Sequence, residues 1–142
     1  MRMRLLGAIG IVQLVFGALG LRKAYAEGRG GDVPGFPHRS PDEVRRRHWV
    51  EGTELSAPTV MLIVQAFASL ALLVGRRPPV AAARTLGVLG AIMSIGYPIE
   101  RVWRESFVDP DPEVTPLTAG GFLLALKMAI LGFAVGRGPR TR

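Results

Sequence analysis

Three polar side chains interrupt long apolar stretches of the chain, and these are the groups best placed to do chemistry in a hydrophobic setting. Gln13, Gln65 and Lys127 each lie close to the centre of such a stretch. Polar groups are costly in hydrocarbon and usually face the interior of a helix bundle or a water-filled cavity. One hypothesis is therefore a shared polar site in which the Lys127 amine lies beside the two side-chain amides.

A structural interpretation of the same residues is the alternative. Buried amides often hydrogen-bond a neighbouring helix and stabilise its packing, and we favour this interpretation for Gln13 and Gln65. Lys127 lies roughly nine residues, or ~13 Å, from the end of its stretch, which is far for its side chain to reach the membrane surface. We therefore expect Lys127 to point into the bundle or into an interface with another subunit.

The polar segments between the apolar stretches supply a second group of candidate residues. A lipid or small ligand held between Lys127 and these segments would meet acidic, basic and imidazole side chains, namely His48, Glu51, Glu100 and Arg101. The run Asp109-Pro110-Asp111-Pro112-Glu113 also offers three carboxylates at alternate positions. Because calcium takes six to eight oxygen ligands, we favour a rigid, solvated acidic turn over a metal site.

Residue types that the chain lacks exclude several activities. There is no cysteine, which removes disulfide exchange and thiolate metal sites. Both histidines, His38 and His48, lie outside the apolar stretches, so no stretch offers a pair of haem ligands. No carboxylate lies within a stretch, which argues against proton-coupled export. No phosphate-binding loop or metal-binding helix motif is present, and we expect no cofactor and no nucleic-acid partner.

Four helices that cross a membrane must position these residues. Hydrophobic residues make up 49% of the chain and its mean hydropathy is +0.29. A bilayer core needs about 20 mostly apolar helical residues, with a lower limit near 17, and each of four stretches reaches that range. The sequence predicts one all-α domain over residues 1–142, a compact bundle of four transmembrane helices with short interfacial helices on the outer side. The spans are about 4–21, 59–75, 80–99 and 117–136.

The charges predict the orientation of this bundle. All 11 acidic residues fall in the loops 22–58 and 100–116. In the other three segments, namely the two ends of the chain and the connection between the second and third spans, every charged residue is basic. Basic residues accumulate on the cytoplasmic side of membranes. The residues are Arg2, Arg4, Arg76, Arg77, Arg84, Arg137, Arg140 and Arg142. We expect both termini to be cytoplasmic. The excess of Arg over Lys, with abundant Ala and Gly, indicates a GC-rich bacterial genome and hence a bacterial inner membrane.

Two short helices are expected in the outer loops. Ser40, Pro41 and Glu43 form the pattern of a capping box with proline at the first helical position, which predicts a helix from there through Val50. Pro98 should end or kink the third span. Beyond it, an interfacial helix is indicated by apolar residues on one helical face, namely Ile99, Val102, Trp103 and Phe107.

The first stretch could instead be a cleaved signal peptide, because Met1-Arg2-Met3-Arg4 precedes it and Ala24-Tyr25-Ala26 resembles a cleavage site. The apolar run is longer than the usual signal core of about 7–15 residues, so we favour a retained helix. Small residues also recur along helix faces, which predicts close helix packing. They are Gly10, Gly17 and Gly20 in the first span, Ala83, Gly87, Gly90, Ala91 and Ser94 in the third, and Gly132 and Gly136 in the fourth.

Two classes of function fit this sequence. The first is a non-catalytic accessory or scaffolding subunit of a membrane or envelope complex, whose partners are the lipid bilayer and other membrane subunits or further copies of the chain. The second is a lipid- or ligand-binding protein, which includes an enzyme, with its site between Lys127 and the outer helices. A closed interior would favour the first class, and a cavity reaching Lys127 would favour the second. We expect the first.

Overall fold

The part of the chain that the structure describes consists mainly of α-helices. The computed structural model describes residues 1–28, 40–76 and 79–135, and the prediction of an all-helical protein is confirmed for them. The helices are α1 Arg2–Glu27, α2 Pro41–Glu51, α3 Thr59–Val74, α4 Val80–Ile99, α5 Arg101–Glu105 and α6 Val114–Ala134. Arg77, His38, Gly136 and the three arginines after it lie outside the described residues.

Three of these helices, α1, α4 and α6, are long and apolar enough to cross a membrane. The second predicted span corresponds to α3, which has 16 residues. At 1.5 Å per residue it is ~24 Å long, shorter than a bilayer core of about 30 Å. The structure therefore has three candidate membrane-spanning helices and one shorter apolar helix.

The four apolar helices pack in alternating directions. Near its start, α1 meets the end of α3, because Gly7 contacts Leu72 and Ser69. Gly87, early in α4, meets Gly132 near the end of α6. One end of the bundle thus gathers the start of α1, the end of α3, the start of α4 and the end of α6. We call it the basic end, since its described charged residues are Arg2, Arg4, Arg76 and Arg84.

Large apolar side chains fill the centre between the helices. Leu6, Leu72, Leu86 and Met128 are fully buried and belong to one continuous core that all four apolar helices share. Burying such a side chain is worth roughly 1.5–3 kcal/mol where water is the alternative. In a bilayer the gain comes instead from close packing, since lipid tails are as apolar as leucine.

Glycines bring the helix backbones together, as the small-residue pattern predicts. A Cβ atom at Gly90 would lie 2.5 Å from the Ala125 carbonyl oxygen and 2.6 Å from the Ala129 nitrogen. On α1, Gly20 lies against the backbone of Leu55. The small-residue faces are therefore used within the chain, and Gly132 packs on Gly87 of α4.

The outer helices form largely where the sequence places them. The Ser40 hydroxyl accepts a hydrogen bond from the Glu43 amide and the Glu43 carboxylate accepts one from the Ser40 amide, so the capping box at the start of α2 is confirmed. Pro98 lies in the last turn of α4, which ends at Ile99. The expected interfacial helix is shorter than its pattern, because α5 covers only Arg101–Glu105.

A tight turn between α2 and α3 was not predicted. Gly52 has φ +75°, a left-handed conformation that favours glycine, and Thr53 and Ser56 exchange two backbone hydrogen bonds. The turn directs Leu55 inward, where it packs with Val102 and Val114. This cluster joins α5 and the start of α6 to the turn at the end of the bundle opposite the basic end. We call this opposite end the acidic end, because Glu51, Glu54, Glu100 and Glu113 lie there.

Candidate functional site

The two glutamines make hydrogen bonds between helices. Gln65 of α3 is fully buried, and its Nε2 donates to the Gly10 carbonyl oxygen of α1 over 2.8 Å. Gln13 of α1 donates to the Tyr97 hydroxyl of α4 over 3.3 Å, with a longer contact to the Met93 sulfur. Each amide thus joins α1 to a different helix, as the structural interpretation expects. The Oε1 atoms of both side chains are buried without a hydrogen-bond partner.

Lys127 lies on the outer surface of the bundle. Its side chain is exposed, so the expectation that it points into the bundle is wrong, and the shared polar site with Gln13 and Gln65 is not formed. The reason is helical geometry. Ala125 and Ala129 pack against α4, and a residue two positions from each lies on the opposite side of the helix. The alternative, that Lys127 faces an interface with another subunit, stays a prediction.

Two of the other candidate residues meet in a pocket at the acidic end. Glu51 and Glu100 line a space of about 190 Å³ together with Glu54, Tyr97 and Met93. The Arg47 guanidinium lies 3.1 Å from the Glu51 carboxylate, so that acid is already paired. The pocket opens between the end of α2, the turn and α4. Lys127 is not among its lining residues, so the ligand site expected between Lys127 and the outer elements is not continuous.

The remaining two candidates lie elsewhere. The His48 Nδ1 atom is 2.7 Å from the Arg45 carbonyl oxygen, and the ring packs edge-on against Tyr25 of α1. Arg101 pairs with Glu105 one turn along α5 and borders a wider cleft of about 740 Å³ between α5 and the start of α6. Neither contact brings these two residues to the glutamines.

The acidic turn organises the start of α6. An oxygen of Asp111 accepts hydrogen bonds from the backbone amides of Glu113 and Val114, over 2.7 and 2.9 Å. Within residues 1–28, 40–76 and 79–135, no group of three potential metal ligands is present. The Lys23 amine lies 2.5 Å from the Glu113 carboxylate and 2.8 Å from that of Glu27. The contact with Glu113 joins the end of α1 to the start of α6.

Aromatic rings connect α5 to the bundle. Trp103 packs on Phe122 of α6 with ring centroids 4.8 Å apart, and on Phe107 at 5.2 Å. Tyr97 lies 6.3 Å from Trp103. Of the expected apolar face, Val102 is buried and Trp103 is half-buried, whereas Ile99 and Phe107 are exposed. The short helix therefore packs on the bundle through Val102 and Trp103, and Phe107 contacts Trp103 from the exposed side.

Several of these residues were missed at the level of sequence. The Tyr97 hydroxyl accepts a hydrogen bond from Gln13. Thr53 and Leu55 belong to the buried turn. None of these three residues is part of a recognisable sequence motif. A signal for Lys127 did exist: its position between Ala125 and Ala129 places it opposite the small-residue face of α6. The Gly52-Thr53 pair is the kind of breaker that predicts a turn, although it does not predict burial.

The chain matches no family model, no curated protein and no solved structure.

Proposed function

We propose that this protein is a non-catalytic accessory or scaffolding subunit of a membrane complex. One observation carries the proposal: the buried mid-helix amides bond neighbouring helices, while the mid-helix charge of Lys127 faces outward. Hydrogen bonds of this kind hold the helices together. A charge on the outer surface, in contrast, is useful when another membrane protein covers it.

The topology that we propose has four spans in a bacterial inner membrane, with both termini cytoplasmic. The support is the segregation of charge, since the basic end holds no described acid and the opposite end holds the carboxylates. A short hydrophobic helix is accommodated by local thinning of the bilayer at modest cost, which allows α3 to cross. The contacts of Gly7 and Gly20 with α3 and the turn support retention of α1.

A second candidate function rests on the pocket at the acidic end. Glu51, Glu54 and Glu100 surround it, and Tyr97 contributes an aromatic wall. The occupant would be a lipid headgroup or a small ligand, which would have to compete with Arg47 for the Glu51 carboxylate. The pocket is small and distant from Lys127, so this function receives less support from the geometry than assembly does.

The mass of the protein in its native membrane tests the proposed role. Membranes are solubilised directly into polymer-bounded nanodiscs, and the tagged chain is isolated and weighed by native mass spectrometry. We expect a particle that contains a different membrane protein in a fixed ratio. A single copy, or copies of this chain alone, would contradict the proposal.

A further inference from the structure

We propose that Lys127 pairs within the membrane with a carboxylate on a transmembrane helix of a different protein, and that α6 is the helix on which this partner docks. The inference rests on the proposed function and specifies the chemistry of the partner. It begins from the position of one charged side chain among apolar neighbours on the outside of the bundle.

The docking surface is the outward face of α6. It consists of residues three or four positions apart along the helix, all exposed and all apolar except the lysine: Leu123, Leu126, Lys127, Ile130 and Phe133. Residues at this spacing form a continuous stripe along a helix. A second helix that packs along the stripe would contact Lys127 near the middle of the interface.

The Lys127 amine has no partner in the part of the chain that the structure describes. Neither a hydrogen bond nor an ion pair involves it, and its neighbours one turn away, Leu123 and Leu131, are apolar. An unpaired charge at this depth is expensive, and such residues normally pair with one another or with an opposite charge. A partner must therefore come from the membrane surface or from another protein.

Helix geometry disfavours the membrane surface. The near end of α6, at Ala134, is about 10 Å along the axis from Lys127, and the far end at Val114 is about 20 Å away. Helical side chains lean towards the N-terminus of their helix, which for Lys127 is the far end. To reach the near surface, the side chain has to extend against this direction.

A second copy of the chain does not supply the opposite charge. No Asp or Glu lies within an apolar stretch of the sequence, so no copy carries an acid at the depth of Lys127. A symmetric pair formed through the outward face of α6 would also bring two lysines together. Charge complementarity therefore selects a different protein with a membrane-embedded Asp or Glu.

A model partner tests the pairing directly. The probe is a synthetic 24-residue Leu/Ala transmembrane helix with one central Glu, compared with the same helix carrying Gln or Leu. The full chain and each labelled peptide are reconstituted, dilute in lipid, into phosphatidylcholine vesicles, and their association is measured by energy transfer. We expect the Glu peptide to associate about tenfold more tightly than the Leu peptide, a factor typical of interhelical polar contacts.

Variants of the chain identify the residue responsible. Lys127→Leu should abolish the preference for Glu, and Lys127→Arg should retain it. Ile130→Trp should weaken association by altering the same stripe, whereas Ile95→Trp should not. Ile95 is the matched control, because it is 66% exposed on α4 and Ile130 is 60% exposed on α6. Circular dichroism establishes that each variant is folded.

Two results would overturn the inference. One is equal binding of the Glu and Leu peptides to the unaltered chain, which is the outcome if Lys127 reaches the lipid headgroups. The other is an undiminished preference for Glu in Lys127→Leu. In either case a second membrane protein in the native particle would still support the proposed function, so the two failures are distinguishable.

Discussion

The polar residues near the middle of the apolar helices differ in whether they face the interior of the bundle or its outside. Gln13 and Gln65 are buried and link α1 to α4 and α3, whereas Lys127 faces outward from α6. The acceptor of Gln65 is a backbone carbonyl inside α1, which already takes part in the helical hydrogen-bond ladder. The acceptor of Gln13 is the Tyr97 hydroxyl. This difference predicts unequal effects when each amide is removed.

Replacing Gln65 with leucine should be nearly neutral, within about 1 kcal/mol in the free energy of unfolding. The change removes one interhelical hydrogen bond, worth about 0.6–2 kcal/mol in membranes, but it also removes the unpartnered Oε1 atom. Gln13→Leu also removes an unpartnered Oε1 atom. It should still cost about 1 kcal/mol more, because the Tyr97 hydroxyl loses its hydrogen-bond donor, whereas the Gly10 carbonyl keeps its bond within α1. Denaturation of both variants in mixed micelles checks this order, and the reverse order would contradict it.

Helix pairs are held at distances that only glycine permits. One such close approach is between α4 and α6, where Gly90 faces the backbone of Ala125 and Ala129. Gly96 lies on the same helix as Gly90, yet a Cβ atom there would meet nothing within 4 Å. Alanine substitutions at these two glycines change helix propensity in the same way, but only the substitution at Gly90 disturbs close packing. Comparing them therefore separates the two effects.

Gly90→Ala should destabilise the bundle by about 1–3 kcal/mol, the usual cost of overpacking, because the new Cβ atom meets backbone that cannot rotate away. Gly96→Ala should change stability by no more than about 0.5 kcal/mol. The measurement is thermal unfolding in the same detergent. Equal losses in the two variants would show that α4 and α6 do not pack closely at Gly90.

Two residues of α5, the packed Trp103 and the exposed Glu105, should differ in their tolerance to substitution. Trp103→Asp should weaken folding by about 2 kcal/mol or more, because it places a carboxylate among the rings of Phe122 and Phe107. Glu105→Ala breaks only its exposed pair with Arg101 and should cost at most about 1 kcal/mol. Unfolding midpoints of the two variants check this expectation. Comparable tolerance of both changes would argue against an anchoring role for α5.

At the scale of the whole molecule, the number of crossings is the main prediction. The chain contains no cysteine, so a single introduced cysteine labels one position. Val108→Cys at the acidic end should react with an impermeant maleimide in intact cells. Arg76→Cys should react only after the membrane is permeabilised, because α3 carries the chain to the cytoplasmic side. Both residues are exposed, which makes them a matched pair.

Labelling of Arg76→Cys in intact cells would contradict the proposed topology, because either α3 does not cross or the bundle has the opposite orientation. A reporter fused after Arg142 gives an independent reading of the same topology. We expect activity from a reporter that functions in the cytoplasm. Activity from one that functions only in the periplasm would overturn either the sidedness or the number of spans.

Local patterns in the sequence determine the helices and their ends. The capping box of Ser40 and Glu43 forms because its two partners are three residues apart. Pro98 lies in the last turn of α4, close to the end that proline predicts. The apolar stretches and the separation of acidic from basic segments are likewise properties of composition. These features need no knowledge of contacts between distant residues. The helices predicted from the capping box and the apolar stretches are found, although α3 is shorter than a bilayer core and α5 is shorter than its pattern. The orientation inferred from the charges stays a prediction.

Only the tertiary structure decides which face each helix presents. α6 is apolar almost all around, so hydrophobic periodicity does not reveal on which side Lys127 lies. Its orientation follows from the close approach of Gly90 to Ala125 and Ala129, residues more than thirty positions apart along the chain. The buried turn at Leu55 likewise depends on Gly20 of α1. Contacts of this kind join segments far apart in sequence, and they turn the lysine outward while the two glutamines remain buried.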